Sequence, residues 1–286
     1  MARQPAVAGG FYEAGRESLL ASIKDCFLSP LGPGRLPLVR ADRLANIAGL
    51  VCPHAGYMYS GSAAAFAYDA LANDGIPDII VLLGPNHHSF GAPVALSPDE
   101  EWQTPLGPVR VDTDTANAIL GECQFARFDD MAHLREHSIE VQLPFLQYIG
   151  GSGFRIVPIS LSHLGERDAL LLARELGLAI GAALSDKSAV IIASTDFSHQ
   201  EPQQSAQAKD SLAIEQILKL DGAGLIRTVN DKSISMCGAI GTAVMLEACK
   251  ALGATTARKL TYYTSGDVTG EFSQVVGYGA LSVERG

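Results

Sequence analysis

The sequence predicts an α/β protein, with a central and largely parallel sheet covered by helices on both faces. Short aliphatic runs alternate with longer stretches of helical periodicity, the order that builds parallel strands joined by crossover helices. Several of those runs are apolar at every position, as strands buried on both faces must be. Polar, histidine-bearing clusters follow the runs, and folds of this class carry their ligands on the loops at the carboxyl ends of the strands.

Taken in order, residues 31–34 (Leu-Gly-Pro-Gly) form a loop by their breakers. Residues 47–51 read as a buried strand and the Ala-rich 62–71 as a helix. Residues 79–83 are all aliphatic and form a strand. Short strands are expected at 94–96 and 109–111, and helices at 113–120 and 138–148. In the second of these, Pro144 must sit in the first turn or make a kink. A strand follows at 155–161, a long helix at 166–184, a strand at 189–193 and a helix at 203–220. A helix at 239–252 and two strands, 259–264 and 274–282, complete the pattern. No repeat or low-complexity tract interrupts it, so one domain over residues 1–286 is expected.

Composition narrows the function classes. Hydrophobic residues make up 47% of the 286 and charged residues only 18%, which excludes disorder as the main state. The formal charge of −10 argues against nucleic acid as a partner, since that binding needs a basic face. The five cysteines, 26, 52, 123, 237 and 249, are odd in number and contain no CxxC pair. A reducing, cytoplasmic compartment is therefore expected rather than a disulfide framework. Residues 1–5 lack the apolar core of a signal peptide. The uncharged run 44–68 is long enough to span a bilayer, but Gly49, Pro53, His54 and Gly56 within it favour strand, loop and helix over a membrane helix.

The chemistry-bearing residues collect after the strands. The first strand runs into Cys52-Pro53-His54-Ala55-Gly56-Tyr57 and the second into Gly84-Pro85-Asn86-His87-His88. The strand 189–193 runs into Ser194-Thr195-Asp196-Phe197-Ser198-His199, and Ser235-Met236-Cys237-Gly238 precedes a helix. Imidazole is the commonest metal ligand, and a thiolate adds charge and softness. Adjacent histidines point apart, so only one of His87 and His88 is expected to share an ion with His54. Each residue alone has a plainer reading: His54 as a hydrogen-bonded loop histidine, Cys237 as a small hydrophobe, Asp196 with His199 as a loop cap. Cys52, Cys123 and Cys249 read as buried small hydrophobes.

His137 and Glu140 stand three residues apart, which places both on one helix face, either as a surface capping pair or supporting a pocket. His133 and His163 are expected at the surface. No phosphate loop, dinucleotide fingerprint or GxSxG elbow is present, so nucleotide cofactors and hydrolases of that type are disfavoured.

Five of these stretches, in order, resemble the Memo family, known in microbes as protein B of the AmmeMemoRadiSam system. They are Pro53-His54-Ala55-Gly56-Tyr57, Leu83-Gly84-Pro85-Asn86-His87-His88, Glu136-His137-Ser138-Ile139-Glu140, Asp196-Phe197-Ser198-His199 and Met236-Cys237-Gly238. The opening Arg3-Gln4-Pro5-Ala6-Val7-Ala8-Gly9-Gly10-Phe11-Tyr12 is similar as well.

The resemblance implies a three-layer αβα sandwich around a mixed, mostly parallel sheet, related to class III extradiol dioxygenases. It implies His54, His87 and Cys237 as metal ligands, His199 and Asp196 as the acid–base pair, and Tyr59 and Phe11 as pocket-lining residues. His88, His137 and Glu140 would then stand around the pocket. Where animal members carry a tryptophan and a cysteine, this chain has Phe11 and Ser198. The implied cofactor is one transition-metal ion, iron(II) first, with copper or zinc made competitive by the sulfur ligand. The implied reactants are dioxygen and a small molecule such as a diol, and AMMECR-type and radical-SAM proteins are implied partners. Metal sequestration without turnover, and a peptide-binding module using the same pocket, are the competing functions.

Overall fold

The computed structural model describes residues 2–286. Its elements are, in chain order, β1 (Ala2–Arg3), α1 (Arg16–Leu28), β2 (Ile47–Cys52), α2 (Tyr57–Asp74), β3 (Ile79–Pro85), β4 (Val94–Leu96), β5 (Glu101–Thr104) and β6 (Gly107–Arg110). Then come α3 (Thr113–Glu122), β7 (Ala126–Phe128), α4 (Leu143–Gly150), β8 (Arg155–Leu161), α5 (Glu166–Ala183), β9 (Ala189–Ser194) and β10 (His199–Glu201). The chain finishes with α6 (Gln203–Leu218), α7 (Gly222–Asp231), α8 (Ala239–Ala251), β11 (Ala254–Thr264), α9 (Ser265–Thr269) and β12 (Val275–Arg285).

The main sheet runs in the order β10-β12-β2-β9-β3-β8-β4-β7, with β11 also paired to β12. Its centre, β2-β9-β3-β8, is parallel throughout. Antiparallel pairing enters on both flanks, at β12 with β2 and at β4 with β8, so the sheet is mixed and mostly parallel at its heart. The central strands alternate their side chains between two apolar layers. Ile79, Val81 and Leu83 of β3 join the layer that contains buried residues of α5 and α8, while Ile80 and Leu82 join the layer containing those of α1, α2 and α4. These strands are therefore apolar along most of their length because each face meets a different helix layer. The expected αβα sandwich is the observed architecture.

Two local expectations are corrected. The helix expected over 138–148 starts as a one-turn 3-10 segment, Glu140–Gln142, and becomes α-helical only from Leu143, with Pro144 in the first turn where no backbone donor is needed. His133 is not at the surface. It is 1% exposed, with Nε2 3.1 Å from the Ala95 carbonyl and its ring edge-on to Trp102. His163 is exposed as expected, and Cys52, Cys123 and Cys249 are buried. Residues 44–68 do form strand, loop and helix, and no helix of the described residues is long and apolar enough to cross a membrane.

Register brings the chemistry to one edge. Cys52 pairs with Ser194, Leu83 with Ala193, and Pro85 with Leu161. The loops after β2, β3, β8 and β9 therefore leave the sheet side by side.

Candidate metal centre

Three imidazoles meet at that edge. One ring nitrogen each of His54, His87 and His137 lies within 4.8 Å of the others, the spacing at which one ion can be shared. The ring of His137 stacks on His87 at 4.7 Å, and both stand edge-on to His54 at 5.4 and 5.2 Å. Cys237 adjoins the group through His54, with Sγ 3.3 Å from Nε2. No set that includes Cys237 meets the same mutual spacing among the described residues.

The loops approach this closely because two glycines let them. A Cβ on Gly238 would stand 2.5 Å from the Ser194 carbonyl oxygen, so a side chain there would push Cys237 off the end of β9. A Cβ on Gly84 would stand 2.5 Å from Ser138 Oγ, and that contact seats the 136–140 segment against β3.

Buried hydrogen bonds fix which nitrogen of each ring carries the lone pair. Ser194 Oγ donates to the Ser138 carbonyl at 2.6 Å and accepts from Gln142 Nε2 at 2.7 Å. Its hydrogen is thus spoken for, so His54 Nδ1, 3.0 Å away, must be the donor in that contact. The lone pair of a neutral His54 then sits on Nε2, the atom facing Cys237. Gln142 is itself held by the Pro53 carbonyl and the Tyr68 hydroxyl. His87 Nδ1 lies 2.9 Å from Glu136 Oε1, and a carboxylate partner makes that nitrogen the donor and leaves Nε2 free.

Glu136 does more than orient one ring. Its carboxylate also accepts from the backbone N–H groups of His87, His137 and Ser138, at 2.6, 2.8 and 2.9 Å. Burial pushes its carboxyl up, but the bond from His87 and the Ser138 amide outweigh burial and hold it well below the usual carboxylate range. His54 and His137 are held neutral for a related reason. Burial and the neighbouring rings push His54 well below its ordinary value, and burial brings His137 down to about 4 against the opposing pull of Glu136. Neutral rings are the metal-binding form. Burial, with the charge of Asp196, pushes the Cys237 thiol up to about 12, so the sulfur holds its proton until a cation displaces it. The donor set therefore suits a transition-metal ion.

Asp196 and His199 flank this group. Asp196 is 4% exposed; its Oδ1 accepts from the His54 amide at 2.9 Å, and its own N–H points at Cys237 Sγ, 3.3 Å away. Burial pushes its carboxyl up to about 6. His199 Nδ1 is 2.9 Å from the Ser235 carbonyl and must donate to it, which leaves the lone pair on Nε2. Phe11 packs on the His137 ring at 4.4 Å, while Tyr59 is 40% exposed on α2 and engages Tyr263 through its carbonyl. His88 turns away, with Nε2 3.1 Å from the Arg135 carbonyl.

Glu140 is corrected in its surroundings. It is fully buried, yet it faces the N-terminal strap, where it meets Arg3 Nη1 at 2.8 Å, the Tyr12 hydroxyl at 2.6 Å and the amides of Ala6 and Val7. The carboxylate that touches the imidazoles is Glu136. Sequence reading missed it, together with Ser194 and Gln142. The one available signal was that Glu136 opens the Glu-His-Ser-Ile-Glu stretch.

Residues 3–282 match the profile of the family described as Memo-like protein. A MEMO1 family protein of Methanopyrus kandleri is 48% identical, with all of both chains covered. One from Methanothermobacter thermautotrophicus is 44% identical over 99% of this chain and all of its own. The crystal structure of an uncharacterized protein from Escherichia coli K12 shares the fold at 14% identity, with a TM-score of 0.55 over 84% of this chain and all of that one. A family match over nearly the whole length, joined to relatives of the same length, identifies the chain as a member of the Memo family.

Proposed function

We propose that the protein is a metal-dependent, dioxygenase-like oxidoreductase that holds one iron(II) ion with His54, His87 and Cys237. The observation that carries this reading is the fixed tautomers: hydrogen bonds on the far nitrogens leave the Nε2 lone pairs of His54 and His87 free, and that of His54 faces the sulfur of Cys237. A bound ion of this kind supplies Lewis acidity and, as iron, one-electron chemistry toward dioxygen. His199 accepts a proton from a substrate hydroxyl at its free Nε2, and the Ser235 carbonyl steadies the imidazolium that results. Asp196 holds the His54 backbone in place with its carboxylate and directs its own backbone N–H at the sulfur. His137, stacked against His87 and covered by Phe11, closes the opposite side to water.

Anaerobic reconstitution with ferrous iron, followed by oxygen uptake over a panel of catechols and related diols, tests the proposal. Stoichiometric iron and substrate-dependent uptake are expected in the wild type, and loss of both in His87→Ala. Tight cuprous binding with no uptake for any diol would assign the site to metal sequestration instead.

A further inference from the structure

Thr195, the first residue beyond β9, ties together the loops that carry the sulfur and one of the imidazoles. It is fully buried. Its backbone N–H donates to the Cys52 carbonyl at 2.8 Å, just ahead of His54 in the chain. Its hydroxyl oxygen accepts from the N–H of Gly238, the residue after Cys237, at 2.9 Å. Gly238 caps α8 and has no side chain to cap with, so Thr195 takes up a helix-end donor that no carbonyl of the helix can reach. Thr242 holds the same glycine from the other side, donating to its carbonyl from both amide and hydroxyl, each at 2.9 Å.

The hydroxyl hydrogen of Thr195 has two acceptors within reach. With the thiol protonated, Thr195 Oγ1 and Cys237 Sγ both direct a hydrogen at the Asp196 carbonyl, 2.8 and 3.5 Å away. The two atoms are themselves 3.8 Å apart, close enough for a hydrogen bond to sulfur. A cation that displaces the thiol proton turns the sulfur from donor into charged acceptor. Hydrogen bonds to an ionised acceptor are the stronger ones, so the hydroxyl then gains by turning from the carbonyl to the sulfur. We propose that Thr195 is a positioning residue for the sulfur ligand. It seats Cys237 through Gly238 and, once a cation is bound, gives the thiolate a second hydrogen bond beside that of the Asp196 amide. Hydrogen bonding around a cysteine sulfur tunes the charge it passes to its metal. This rests on the proposed metal centre and names the residue that sets the donor strength of its sulfur.

Cobalt(II) is the probe, because a thiolate bound to it gives a near-ultraviolet charge-transfer band whose energy follows the electron density on sulfur. Thr195→Val keeps the shape and removes the hydroxyl. The band is expected to move to longer wavelength, since no hydroxyl then steadies the sulfur electrons. Cobalt affinity is expected to fall roughly tenfold or more, the usual effect of losing an outer partner. Thr195→Ser, which keeps the hydroxyl, is expected to match the wild type in both. Should Thr195→Val fail to fold, Thr195→Ala removes the same hydroxyl and is expected to show the same shift. A band that stays in place without the hydroxyl, or one that moves equally in Thr195→Ser, overturns the inference and leaves the centre standing. A wild-type cobalt complex that lacks the band removes Cys237 as a ligand, and the centre falls together with the inference.

Discussion

Glu136 is the residue on which the geometry of the centre turns, because one buried carboxylate orients His87 and also holds the backbone that carries His137. Glu136→Gln keeps the shape and removes the charge that fixes the His87 tautomer. It is expected to weaken zinc binding by roughly 10- to 100-fold, the usual effect of losing such an outer partner, as read by competition with a chelator. His133 makes a separate prediction about stability. Burial holds its folded pKa down to about 4, against about 6.5 in an unfolded chain. Between those values the unfolded chain binds a proton that the folded one refuses. Its contribution is therefore fully present above pH 6.5 and is lost as pH falls toward 4. The loss reaches roughly 3 kcal/mol by that pH. Urea denaturation of His133→Gln should show a correspondingly flatter fall over this window than the wild type. At this scale His54 and His87 stood out because they follow strand ends, and Cys237 because its motif directly precedes a helix. Glu136, Ser194 and Gln142 did not, since their part is to choose a ring nitrogen on a residue far away in the chain.

Among the elements, the N-terminal strap does the least regular work and makes some of the tightest contacts. Arg3 reaches the carbonyls of His133 and Glu136 as well as Glu140, and its guanidinium lies 4.1 Å over the Trp102 ring. The strap thus fastens both ends of the segment that carries Glu136 and His137. Both partners of the Arg3–Glu140 pair are buried, with side-chain exposures of 3% and 0%. Glu140→Ala leaves a buried cation and two amides without their acceptor. A stability loss of about 3–5 kcal/mol is expected in chemical denaturation. Elements with dense aliphatic patterns were readable: β4 and β8 fall where the sequence places them. The helix α1 was missed because only Leu19, Ile23, Cys26 and Phe27 of its thirteen residues are buried. The helix α7 is short and carries two glycines, which weaken its local signal.

Across the whole molecule, a parallel sheet centre explains why residues distant in sequence act together. Parallel strands all end on one edge, so the loops after β2, β3 and β9 converge whatever their order in the chain, and Gly238 brings the α8 entry to the same place. The strand-and-helix alternation made this edge predictable. The mutual distances were not, because they depend on register and on close backbone approaches that no spacing rule encodes. The central claim, that two imidazoles and a thiolate grip one cation there, is tested most directly by X-ray absorption on protein loaded with one equivalent of zinc. The expected spectrum has nitrogen scatterers at about 2.0–2.1 Å and one sulfur at about 2.3 Å, the sulfur vanishing in Cys237→Ser. An all-oxygen shell, or a sulfur shell that survives Cys237→Ser, would contradict it.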